Sequence, residues 1–93
     1  MDILILTITL RASFVHSLKE KRMVVKSIMA KLKNKFNISI IESENQDIHQ
    51  SIVLCIASVC ANSKIADSTM EHIITFIEDN CEAEIINIER ESY

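Results

Sequence analysis

The stretch SIVLCIASV, Ser51 to Val59, is apolar on both alternations of a β-strand. A strand with one solvated face alternates polar and apolar residues, so this one belongs at the centre of a sheet. Residues 2–11 come next in apolar character. They set Leu4, Leu6, Ile8 and Leu10 against Ile3, Ile5, Thr7 and Thr9, one face wholly apolar and the other mixed. That pattern makes a second central strand, covered on one side. Residues 37–44 start β-rich and end in Glu42 and Glu44, and residues 83–91 alternate again. Both read as outer strands. Between them, residues 18–36 carry Leu18, Val25, Ile28, Met29, Leu32 and Phe36 on one helical face. Residues 64–80 do the same through Ala66, Met70, Ile73, Ile74 and Ile77. The order is βαββαβ. The predicted class is α+β, a ferredoxin-like sandwich with two helices on one face of a four-stranded antiparallel sheet, forming one domain over residues 1–93.

Composition removes several kinds of function. Apolar residues make up 48% and charged residues 25% of the 93, an ordinary globular balance. Glycine and proline are both absent, where average usage would supply about six and five. A Walker loop, a GxGxxG fingerprint and a GxSxG elbow each need glycine, so all are excluded. The run ILILTITL, Ile3 to Leu10, is too short to cross a bilayer, and Asp2 stands where a signal peptide has basic residues. The expectation is a cytoplasmic protein with no membrane contact. Cysteines number three, and on one strand Cys55 and Cys60 would stand about 16 Å apart, beyond disulfide reach. Their spacing suggests no zinc site, so reduced, buried thiols are expected.

The net charge of −3 conceals an asymmetry: residues 1–41 carry +6 and residues 42–93 carry −9. Much of the positive charge lies in and after HSLKEKR, His16 to Arg22. Ser17 followed by Glu20 is the S-x-x-E capping box, which makes Ser17 the N-cap and Glu20 its N3 partner. Lys19, Lys21 and Arg22 then sit in the first turn, where the helix dipole disfavours cations by about 0.3–1 kcal/mol each. At 100° per residue, Lys19, Arg22, Lys26 and Lys33 fall within about 60° of one another beside the apolar stripe. Lys21, Lys31 and Lys35 lie on the opposite flank. A ridge of this kind suits phosphates. The competing reading is a solvated face neutralised by Asp67, Glu71, Glu78 and Asp79 of the second helix. Three Phe, one Tyr and no Trp leave no platform for stacking bases.

Other chemistry is thin. Glu42, Glu44, Asp47 and His49 form the one cluster of metal-ligand types, without diagnostic spacing. His16 beside Ser17 lacks an orienting third group, and Arg11 lacks the glycines of an anion-binding loop, so no catalytic residue, metal or cofactor is assigned. Two helices leave one sheet face uncovered, with Ile3, Ile5, Thr7 and Thr9 on it. A homodimer through that face or through a strand edge is expected.

HSLKEKR, the VVKS that follows it, FIEDN at residues 76–80 and the closing acidic strand resemble the YlxP-like family of small bacterial proteins. The resemblance spans essentially the whole chain and implies the same ferredoxin-like fold, with no activity attached. Genes of that family commonly neighbour those for translation initiation and small-subunit maturation factors. This chain departs from the pattern in the loop RASFV, residues 11–15, where Pro or Gly is usual. It also departs at His49, where relatives tend to have a large aromatic, and near Cys55, where they have Gly. Residues and resemblance together lead to a non-enzymatic accessory protein. It is expected to bind RNA or a ribosomal assembly intermediate through Lys19, Lys21, Arg22, Lys26 and Lys33. The alternative is a dimeric module whose basic helix meets an acidic protein.

Overall fold

The computed structural model describes residues 1–44 and 50–93. Strand β1 (Asp2–Arg11) leads to helix α1 (Leu18–Lys35), strands β2 (Ser39–Glu44) and β3 (Ser51–Cys60), helix α2 (Ser63–Asn80) and strand β4 (Glu84–Ser92). The strands form one antiparallel sheet in the order β2-β3-β1-β4. The α+β, ferredoxin-like arrangement expected from the hydrophobic pattern is therefore present, with β1 and β3 central. Burial explains the order. Leu4, Leu6, Ile8 and Leu10 of β1 and Ile52, Leu54 and Ile56 of β3 are all essentially sealed from solvent. They meet Val25, Ile28 and Leu32 of α1 and Ala66, Ile73 and Ile77 of α2 in a single core. Each fully buried Leu or Ile contributes about 1.5–3 kcal/mol, so an exposed strand such as β4 cannot take a central place.

Helix ends and turns are built without glycine or proline. Asn62 caps α2 by accepting from the Ile65 N–H at 2.9 Å, a start the sequence pattern had set one residue later. Phe36, counted with α1 by periodicity, instead ends it: its N–H donates to the Leu32 carbonyl at 2.8 Å and its backbone turns extended. Its ring meets Phe76 of α2 edge-on at 5.6 Å, which ties the helix layer together. The β1–α1 loop is closed from outside. Ala12 and Val15 are fully buried, and the Gln50 amide donates to the Ser13 and Val15 carbonyls at 3.3 and 3.2 Å. That clamp delivers the chain to the start of α1. The three cysteines are free thiols; Cys60 is buried, whereas Cys55 and Cys81 are half-buried rather than enclosed.

Candidate anion-binding helix

Ser17 stands in extended backbone, and its hydroxyl oxygen accepts from the Glu20 N–H at 3.1 Å. The Lys21 N–H donates to the Ser17 carbonyl at 3.1 Å and opens the helical ladder. The cap named from sequence thus orients everything after it. One turn on, Lys19, Arg22, Lys26 and Lys33 all emerge exposed. At 1.5 Å per residue, the row from Lys19 to Lys33 runs about 21 Å.

The acids of α2 do not neutralise this row. Among the described residues, two side-chain ion pairs are formed: Lys21 with Glu42, and Arg90 with Asp67. Asp67 therefore turns to β4, at 2.7 Å from the Arg90 guanidinium. Lys31, on the α2 side, reaches a backbone carbonyl, that of Asn80, at 3.5 Å. Lys19, Arg22, Lys26 and Lys33 keep their charge on the surface.

Lys21 does not belong with them. It is 1% exposed, and its ammonium lies 2.9 Å from Oε2 of Glu42 on β2, itself 18% exposed. The reading of Lys21 as an anion contact is corrected on this ground: a buried cation already held by a carboxylate cannot meet a phosphate at the surface. The sequence contained the signal. Lys21, Val25, Ile28 and Leu32 follow the spacing i, i+4, i+7, i+11 of one helix face, and all four are buried. Charge sorted Lys21 with the flank; periodicity places it at the head of the core stripe. The Glu42 partner was harder to foresee, because it depends on which face of β2 meets the helices. Buried Ile40 shares that face with Glu42, and Ile41 points the other way.

Arg22, Lys26 and Lys33 line a groove of about 490 Å³ between α1 and the outer edge of β2, together with Val25 and Met29 of α1 and Ile41 and Glu42 of β2. A second hollow, near Phe14, Met23 and Cys81, is lined by no cation and includes Glu82. Of these two hollows the first is the one lined by cations, three of them against the single carboxylate of Glu42. Most of the metal-type cluster lies outside what the structure describes, the Glu44 side chain included; among the described residues, no group of three such ligands comes together. Asp47 and His49 lie outside the described residues. His16 is exposed ahead of the cap. No helix among the described residues is long and apolar enough to cross a membrane.

A βαββαβ sandwich with a capped, cation-bearing first helix is the class that fold and site define. Residues 3–90 match the family described as "Protein of unknown function (DUF503)", and the chain belongs to that family. It is also 38% identical over 68 residues to the "Uncharacterized protein YlxP" of Bacillus subtilis (strain 168), covering 73% of this chain and 74% of that protein. The resemblance to YlxP-like proteins read from HSLKEKR is thereby established, and no function comes with it.

Proposed function

We propose that the chain is a non-catalytic accessory protein that binds structured RNA, on the ribosome or an assembly intermediate, by laying the outer face of α1 along a phosphate backbone. One observation carries this reading: a row of exposed cations about 21 Å long, forming no ion pair among the described residues and bordering a groove. Each phosphate contact releases condensed counterions, so such a row binds through charge and geometry rather than base identity. The opposite side of the molecule is unsuited to nucleic acid. Its sheet face offers no aromatic for stacking on the central strands, and Glu89 and Glu91 of β4 repel phosphate.

Co-sedimentation with small ribosomal subunits, and titration of duplex RNA at several salt concentrations, test the proposal. Replacing Lys19, Arg22 and Lys26 together by Gln is expected to weaken binding. It should also cut the slope of log K against log salt by up to about three times 0.7–0.9. Equal binding by parent and variant at every salt concentration overturns the reading. Salt-sensitive binding of polyglutamate with none of RNA overturns it too, and hands the same ridge to an acidic protein.

A further inference from the structure

We propose that the open face of the sheet docks a second copy of this chain, face to face, about a twofold axis running close to the strand direction. Ile3 and Ile5 of β1 and Cys55, Ala57 and Val59 of β3 point away from both helices, as does Ile41 of β2. Val59 is 71% and Ile41 57% exposed, values high for such residues in a sheet. Charge settles where two copies can meet. Pairing β2 edge to β2 edge would bring together two walls of Arg22, Lys26 and Lys33. Pairing β4 to β4 would bring together two rows of Glu84, Glu89 and Glu91. Like charges guard both edges, as is usual for sheets that avoid edge association. The face between them is uncharged across β1 and β3, except for Arg11 at one end, across from Glu84. The sheet measures about 33 Å by 19 Å, but β2 has only six residues and Val53 is already buried on this face, so it offers roughly 500 Å² per copy, or 1,000 Å² for the pair, the low end of a specific interface.

The strand register selects the axis. Ile41, Cys55, Thr7 and Glu89 form one row across the sheet, and Ser39, Ala57, Ile5 and Glu91 form another. An axis across the strands would stack β4 on β4 and crowd the carboxylates of Glu89 and Glu91 against the acidic strand of the second copy. An axis along the strands keeps each row level and reverses its order, so β4 covers β2. Glu89 then faces Ile41 of the second copy, at the wet rim. In the middle, Ile5 faces Ala57 and Thr7 faces Cys55, larger over smaller, which allows the sheets to approach to about 10 Å. The helices, with α1 and its ridge, remain outside.

Sedimentation velocity and light scattering on the full chain, from micromolar to millimolar, provide the test. A dimer dissociating in that range is expected for an interface of this size. Ala57→Lys and the more exposed Val59→Lys, each checked for native melting, should weaken it at least about tenfold. Ile41→Lys should tighten it, because the new ammonium meets Glu89 across the interface, and adding Glu89→Lys should reverse the gain. A chain monomeric to millimolar concentration overturns the proposal, as does a dimer indifferent to Ala57→Lys and Val59→Lys. An Ile41→Lys variant weakened like those two overturns the axis, since a lysine would then be facing its own copy.

Discussion

Lys21 and Arg22 are consecutive residues of equal formal charge, and α1 sends them to opposite environments. Arg22 stands on the groove wall in water. Lys21 is sealed under the helix against Glu42. A 100° step along the helix separates a candidate ligand contact from a structural one. The two are linked in function as well. By anchoring the first turn to β2, the inward pair fixes the rotation of α1, and the rotation determines that Arg22 and Lys26 face out beside the groove. A buried ion pair rarely adds much net stability, because desolvation offsets attraction, but its geometry discriminates strongly between registers. Here the register being chosen is the one that exposes the ridge.

The largest expected effect breaks this comparison on its inward side. Lys21→Ala leaves the Glu42 carboxylate with its buried cation gone. Removing one partner of a buried pair costs about 3–5 kcal/mol, and the partial exposure of Glu42 favours the low end. For a domain of this size that lowers Tm by more than about 10 °C. Lys21→Met combined with Glu42→Gln removes both charges and should recover most of the loss. A double-mutant cycle by urea unfolding measures the coupling. If Lys21→Ala and Arg22→Ala prove equally mild, the two lysine-and-arginine neighbours are not different in kind, and the anchoring role is lost.

How much of this was readable beforehand depends on how local the signal was. The sheet order could be derived because apolar character falls steeply from β3 and β1 to β4, and burial follows apolar character. Ser17 was readable because a cap needs only four consecutive residues. Lys21 was misplaced because a cation at the head of an apolar stripe is satisfied by a residue 21 positions away, on a strand whose inward face no local pattern reveals. The Gln50 clamp and the Arg90–Asp67 pair are of the same kind. Local grammar gives elements and caps; partners across the fold need the topology first.

A smaller effect sharpens the comparison at its hinge. Ser17→Ala removes the acceptor for the Glu20 N–H and should cost about 1 kcal/mol by chemical denaturation. The loss acts on the turn that carries both Lys21 and Arg22, yet no surface cation is touched. Affinity for RNA should fall only by the fraction of unfolded chain, and the slope of log K against log salt should not move. A changed slope would mean that the cap itself holds phosphate.

The smallest effect concerns the outward side alone and carries the opposite sign. Lys19 and Arg22 lie at the positive end of the α1 dipole, exposed and unpaired among the described residues. No described residue rewards them for that position. Replacing both by Gln should therefore leave the fold intact and raise stability by a few tenths of a kcal/mol each, fading as salt screens the dipole. Lys21→Gln in the same experiment should destabilise, because its loss is felt at Glu42 rather than at the dipole. Urea midpoints at low and high salt separate the cases: a gain that shrinks with salt for the outward pair, a loss nearly independent of salt for the inward residue. A loss for both would show that the ridge stabilises the fold, and would remove the reason for reading it as a surface kept for a partner.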